Sequence, residues 1–224
     1  MVHYNWHWFR KWGTGECGNN SIHFVDVARW CLGAEWPERV VSSGGRYFQP
    51  AGQDWEWPDT QTVGMEFPGG KLITWEGTSC VNANPYMGVG TGCMVYGEKG
   101  TLYFMDGTEV RLYDGDGKFV REWGTMPKAD RRDVIDFSNR AGGGPADSTA
   151  FHFANLVDCI RANAPERAAS NADIGTKSTM LALLGNISLT TGEAIRVDPA
   201  TGRMLNKGAA ESLWSREYAK GWEI

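Results

Sequence analysis

No apolar run in this chain approaches the ~20 residues that a membrane-spanning helix requires, so no membrane partner is expected. Met1-Val2-His3-Tyr4-Asn5-Trp6 has neither a basic start nor an apolar stretch, so no secretory leader is visible. No run of like charge is present, and 22 basic against 27 acidic residues leave a net charge of −5. That balance argues against sequence-independent nucleic-acid binding, which needs a basic face. Cysteine is sparse and odd in number: Cys17, Cys31, Cys80, Cys93 and Cys159, with no C-x-x-C spacing. A disulfide framework and a structural zinc site are therefore disfavoured, and buried thiols in a reducing compartment are expected. No G-x-S-x-G elbow supports a serine nucleophile.

Tryptophan, in contrast, is abundant, with 11 residues. Such rings stack on sugars, and they equally fill cores and oligomer interfaces, so both readings stay open. The densest chemistry lies in the first thirty-odd residues. His7, Glu16, Asn19, Asn20, His23 and Asp26 stand among tryptophans and glycines there. The rest has an ordinary globular balance, 42% apolar and 22% charged, in a chain long enough for one large domain or two small ones.

Apolar residues at three- and four-residue steps predict a helix over Ser21–Leu32, with Asn20 or Ser21 as N-cap and Gly33 as C-cap. A β-rich stretch follows. Arg39–Ser43 with Arg46–Phe48 forms one strand region. Thr62–Phe67 and Lys71–Glu76 flank Pro68-Gly69-Gly70. Cys93–Tyr96 and Thr101–Phe104 flank a second turn, and Glu109–Tyr113 and Lys118–Arg121 a third. Consecutive hairpins imply a mainly antiparallel sheet. Residues 124–147 read as a loop. Helices are expected over Ser148–Ala164, with Phe153, Leu156, Val157 and Ile160 as a buried stripe, over Ile174–Thr190, and over Ala209–Tyr218. Met65, Phe67, Ile73, Trp75, Met94, Tyr96, Tyr103 and Phe104 suggest apolar residues on both sheet faces, hence self-association through the sheet.

His23 and Asp26, three apart, share a helix face, and Asn19 lies four before His23. Imidazole is the usual general acid or base, and a neighbouring carboxylate or amide fixes its tautomer. The competing reading pairs Asp26 with Arg29 and leaves His23 structural. His3 and His7 have i, i+4 spacing, but no carboxylate cluster accompanies them, so no metal site is assigned. Gly13-Thr14-Gly15-Glu16-Cys17-Gly18 matches a G-x-G-x-x-G string, yet no strand precedes it and no βαβ unit follows, so it is not read as a dinucleotide fingerprint.

In order, several strings resemble the bacterial branch of the glucose–fructose oxidoreductase/inositol dehydrogenase (Gfo/Idh/MocA) family. They include Trp6-His7-Trp8, Gly13-Thr14-Gly15-Glu16, Gly18-Asn19-Asn20, His23, Asp26, Ala28-Arg29-Trp30, Phe67-Pro68-Gly69-Gly70, Gly97-Glu98-Lys99-Gly100-Thr101-Leu102, Asn171-Ala172-Asp173 and Leu184-Gly185-Asn186. The resemblance implies a two-layer α+β domain over residues 1–224. That domain is a large open, mainly antiparallel sheet with helices on one face, of the dihydrodipicolinate-reductase-like C-terminal kind. It also implies that the family's N-terminal Rossmann domain, which binds NAD or NADP, and the segment with its catalytic lysine are missing. His23 matches the family's catalytic histidine. Where many relatives carry an Asp, this chain has Asn19, which cannot take a proton and suits hydrogen bonding to a sugar hydroxyl or to the cofactor.

The expected function is thus the substrate domain of an NAD(P)-dependent sugar, polyol or glycoside oxidoreductase. His23 would be catalytic, and Asn19, His7, Trp6, Glu16 and Asn20 would bind substrate. The alternatives are a non-catalytic sugar-binding or oligomerisation module, and the corresponding domain of an NAD-dependent glycosidase. Expected partners are a sugar or sugar-derived small molecule, further copies of the chain, and a separate Rossmann-domain chain. The cytoplasm is favoured for the chain as given, with the periplasm left open for a longer parent.

Overall fold

The structure, a computed structural model, describes residues 5–48, 52–79, 90–105, 109–124, 149–216 and 218–223. A short 3-10 helix, Asn5–Trp8, opens it. A π-helical turn, Cys17–Ser21, then runs without a break into α1, Ile22–Leu32. The strands are β1 (Arg39–Gly45), β2 (Thr60–Phe67), β3 (Lys71–Thr78), β4 (Gly92–Gly97), β5 (Gly100–Met105), β6 (Glu109–Asp114), β7 (Phe119–Gly124) and β8 (Ile195–Arg196). The remaining helices are α2 (Thr149–Ala162), a 3-10 turn Pro165–Arg167, α3 (Ala172–Thr191) and α4 (Ala209–Ser212).

The class is α+β and the pairing antiparallel, as expected from the consecutive hairpins. The eight strands do not hydrogen-bond into one continuous sheet, however. They form two four-stranded sheets, ordered β3-β2-β1-β8 and β4-β5-β6-β7. All three expected hairpins are present, with Phe67 opposite Lys71, Gly97 opposite Gly100, and Tyr113 opposite Phe119. The first strand runs unbroken to Gly45, and 46–48 lie outside it.

The core sits between the first sheet and helices α1 and α3. Strand alternation turns Val63, Met65 and Phe67 of β2 and Ile73 of β3 inward, onto Val25 of α1 and Leu181, Leu184 and Ile187 of α3. Gly185 lets α3 approach β2: a Cβ there would come 3.0 Å from Val63. Arg29, although charged, is buried in this layer. Its guanidinium donates to Ser178 Oγ at 3.0 Å and to the carbonyls of Ala34 and Ile174 at 3.1 and 3.4 Å. Such satisfied donors are what make a buried charge tolerable.

Several expectations are corrected. Met65, Phe67, Ile73 and Trp75 do not serve both faces of a sheet. They share the inward face, and the outer positions Thr62, Glu66, Thr74 and Glu76 are polar or charged. Neither Asn20 nor Ser21 caps a helix, because helical backbone already runs back to Glu16 and Ser21 carries αR dihedrals with no side-chain cap bond. The C-cap is as read: Gly33 adopts the left-handed conformation (φ 55°, ψ 42°). The stripe on α2 is not buried. Phe153, Leu156, Val157 and Ile160 are 61%, 46%, 40% and 68% exposed. Periodicity gives a helix its apolar side but does not supply a surface to cover it. The last helix stops at Ser212, well short of Tyr218. Most of the expected loop over 124–147 lies outside the described residues, as do Cys80 and His3.

Candidate functional site

The amino-terminal segment is folded onto the first sheet by its glycines and tryptophans. Trp8 accepts backbone hydrogen bonds from Glu56 and Trp57, both at 3.1 Å, and its ring stacks parallel on Trp55 with centroids 4.9 Å apart. Trp57 donates its indole N–H to the Gly13 carbonyl at 3.0 Å, and the Arg10 guanidinium lies 4.5 Å above the Trp57 ring. Asn186 of α3 donates to the Thr14 carbonyl at 2.7 Å. Below them, the Cys17 thiol packs onto α3, 3.4 Å from the Ala182 carbonyl, and burial pushes its pKa up to about 12, so it is inert.

The three glycines of the G-x-G-x-x-G string are spent on this packing. A Cβ on Gly13 would lie 2.3 Å from the His7 Cα. Gly15 has φ +64° against Trp57, and a Cβ on Gly18 would collide with Thr14. The string opens a helix, but it presents no free glycine turn for a pyrophosphate, which supports its rejection as a dinucleotide cradle.

On this scaffold the structure brings together four of the predicted site residues. His7 is buried, with Nε2 3.8 Å from Glu16 Oε2, an ion-pair distance beyond direct hydrogen bonding. Asn20 donates its side-chain amide to the other Glu16 oxygen. Trp6 stands edge-on to His7, with centroids 6.2 Å apart, and leaves half of its surface in solvent. The chemistry available is a carboxylate held by an amide, a shielded imidazole within its field, and an exposed indole beside them.

Asn19 and His23 are placed differently. Asn19 is half-buried in the π turn. His23 is exposed on the first turn of α1, and its ring makes no hydrogen bond or ion pair with a described residue. The π turn (i→i+5 bonding) widens the helix just where Asn19 and Asn20 sit, a distortion frequent at functional sites. Asp26 does not attend His23. It accepts a hydrogen bond from Ser178 and lies 4.0 Å from Arg29, so the structural reading of Asp26 holds.

Sequence reasoning missed the ordering role of Asp59. Its buried carboxylate accepts the backbone N–H groups of Tyr47 and Phe48 at 3.1 and 3.0 Å, and so pins the segment after β1 beside the Trp55–Trp57 stretch. An Asp opening a strand next to Thr60, after Trp57-Pro58, was the available signal. Among the described residues, no three His, Cys, Asp or Glu side chains converge as metal ligands.

A family profile described as the GFO/IDH/MocA C-terminal domain matches residues 2–103, the segment that holds this whole site and the first sheet's three long strands. This match agrees with the resemblance that the motif order carries. The chain is also similar in fold to solved oxidoreductases. An aldose-aldose oxidoreductase from Caulobacter crescentus, solved with glycerol, superposes at TM-score 0.59 with 18% identity, over 86% of this chain and 50% of that one. An oxidoreductase from Agrobacterium radiobacter, solved with NAD+, L-tartaric acid and magnesium, gives 0.58 and 14%, over 79% and 47%. A UDP-N-acetylglucosamine 3-dehydrogenase from Acidithiobacillus ferrooxidans gives 0.52 and 16%, over 76% and 46%. This chain thus spans about half the length of these structures. No curated protein matches it in sequence.

Proposed function

We propose that this chain is the substrate-side half of a nicotinamide-dependent sugar oxidoreductase, and that the cofactor is held by a separate nucleotide-binding half. The observation that carries the reading is the Trp6–His7–Glu16–Asn20 cluster, set at the mouth of a distorted helix within the family-matched segment. An indole face takes the apolar face of a sugar ring, and carboxylate, amide and imidazole groups take its hydroxyls. NAD or NADP fits the family and the solved neighbours, but the described residues offer no cradle for it, since the only glycine-rich helix start is filled by its own packing.

The proton work is assigned to His23. Oxidation of a sugar carbon requires its hydroxyl to lose a proton to a group within hydrogen-bond reach. Of the two described histidines of this segment, His23 faces solvent and its ring makes no hydrogen bond with a described residue, whereas His7 is buried against Trp8. Asn19 and His7 orient the sugar.

The test joins this chain to a matching Rossmann domain and compares His23→Ala with His152→Ala. Loss of roughly 100- to 10,000-fold in turnover is expected for His23→Ala alone. A rate within about threefold of the parent refutes the assignment, since it falls far below the general acid–base range. Calorimetry of the chain alone should show weak or no NAD binding. A micromolar dissociation constant, about −8 kcal/mol, would overturn the separate-half reading.

A further inference from the structure

The tryptophans around the amino-terminal segment fall into two groups. Trp8 and Trp57 are buried, Trp55 stacks on Trp8, and the Arg10 guanidinium covers the Trp57 ring, so these three hold the segment down. Trp6 and Trp12 are instead 49% and 51% exposed. The backbone couples their positions. The Phe9 N–H donates to the Trp6 carbonyl at 3.2 Å and the Trp12 N–H to the Phe9 carbonyl at 3.0 Å, two successive i→i+3 turns. Three residues make one 3-10 turn and rise about 6 Å, so residues 6, 9 and 12 follow one another along one side of the segment. The Phe9 and Trp12 rings meet edge-on with centroids 5.6 Å apart, in keeping with that step. The result is an aromatic ledge, with half-buried Phe9 between two indoles that face water. It starts at Trp6, edge-on to His7 in the polar cluster, and ends at Trp12, where Lys11 Nζ lies 5.9 Å from the ring centroid.

One sugar ring stacked at Trp6 and held by Glu16 and Asn20 leaves Trp12, two such steps or about 12 Å along the ledge, untouched. An exposed indole beside an ammonium group suits a second ring, which lays its apolar C–H face on the indole and offers its hydroxyls to the Lys11 donor. Resting on the sugar-site reading above, we propose that the substrate is a glycoside of at least two rings, with the reacting sugar at Trp6 and the second ring on Trp12. Trp12 is then the residue that selects a glycoside over a free hexose. Arg10 takes no part in this subsite, because its guanidinium lies on Trp57 and donates to Thr190 Oγ1 at 2.9 Å.

The test titrates the full chain by calorimetry with glucose and galactose, and with cellobiose and lactose. The disaccharides should bind about three- to tenfold more tightly than the hexoses, the span of one aromatic stacking contact. Trp12→Ala should bring that ratio to about one, and Trp12→Phe should restore part of it, whereas Trp6→Ala should weaken both classes. A readout independent of variant folding is oxidation of the parent by N-bromosuccinimide, followed at each tryptophan by mass spectrometry. Cellobiose or lactose should shield Trp12, and the hexoses should shield Trp6 without it. Hexose binding with no disaccharide advantage, or an advantage that survives Trp12→Ala, overturns the two-ring substrate and leaves the sugar site standing. No binding of any of these sugars removes both. If joining the Rossmann half shields Trp12 in the absence of sugar, the ledge is a contact between the two halves, and the proposal falls.

Discussion

The two sheets are built from similar hairpins yet are finished differently. In the first, β1–β3 and β8 turn Val40, Val63, Met65, Phe67, Ile73 and Ile195 to one side, and α1 and α3 seal that side so completely that Val40, Met65 and Ile195 are 0% exposed. Its outer face is mostly polar, with Val41 and the exposed Leu72 set among Thr62, Glu66, Thr74 and Glu76. In the second sheet, Leu102, Phe104 and Val110 occupy one face, while Met94, Tyr96 and Phe119 stand exposed on the other. Its apolar alternation is as good as the first sheet's, but among the described residues no helix lies along it as α3 lies on the first. The first sheet is a core; the second is a surface with the composition of one. Both candidate-site halves, the Trp6–His7–Glu16–Asn20 cluster and the Asn19–His23 helix start, are mounted on the sealed side, where the scaffold holds side chains to fixed positions.

The sharpest way to break this contrast is truncation of one methionine from each sheet. Met65→Ala empties a fully buried position and is expected to cost ~2–5 kcal/mol. Met94, 41% exposed, should lose no more than about 0.5 kcal/mol as Ala, as most surface changes do. Urea midpoints at unchanged m-value read both directly. Equal losses would mean that the second sheet is as sealed as the first.

A smaller effect separates the glycines. Gly13→Ala drives a Cβ to 2.3 Å from the His7 backbone, which cannot swing aside as a side chain can, so a loss of about 1–3 kcal/mol is expected together with a displaced His7. A Cβ on Gly97 in the β4–β5 turn would meet the Gly100 carbonyl at an ordinary 3.5 Å, so Gly97→Ala should stay within about 1 kcal/mol. Thermal melting ranks the pair. The histidine Hε1 resonances report His7, which should shift in Gly13→Ala and hold in Gly97→Ala. A Gly13→Ala variant with an unmoved His7 resonance would detach the site from the glycine packing.

What the sequence made legible follows the same division. Alternation over Thr62–Glu76, the two-residue turn at Glu98-Lys99 and the Gly33 cap are local signals, and all three appear where the residues place them. The cluster of polar groups in the first thirty residues was legible by density, and the structure joins His7, Glu16 and Asn20, whose partnership no spacing rule announces, because a π turn and a left-handed Gly15 intervene. What stayed hidden depends on partners distant in sequence. Periodicity could not say that the α2 stripe would lie open, that Met65 and Trp75 would share one face, or that Asp26 would be claimed by Ser178, 152 residues away. A carboxylate near a histidine in sequence is a candidate for pairing, and burial of Arg29 decided the matter against it.

The smallest effect lies at the edge of the sealed sheet. After β8 the chain turns back through 198–202, with Val197 bridged to Met204, and Asp198 organises that turn. Its carboxylate accepts from Thr201 Oγ1 at 2.7 Å and from the Ala200 N–H at 3.0 Å. The Thr201 hydroxyl, and next the Ala200 amide, hold its pKa below the ordinary 3.8, since both donate to the charged form. A carboxylate whose folded pKa lies below its unfolded value adds stability above the unfolded value, and this is lost as pH falls through the folded one. Asp198→Asn should therefore lower the urea midpoint slightly at neutral pH and flatten the stability decline that begins near about pH 4. Because Asp198 lies at the surface, solvent screens the gain, and the change should be the least of the three. If Asp198→Asn retains the parent's full acid dependence, the carboxylate is a bystander to the turn. The edge of the first sheet is then held by the Val197–Met204 bridge and the Asn206 amide, which donates to the Ala194 carbonyl at 3.0 Å.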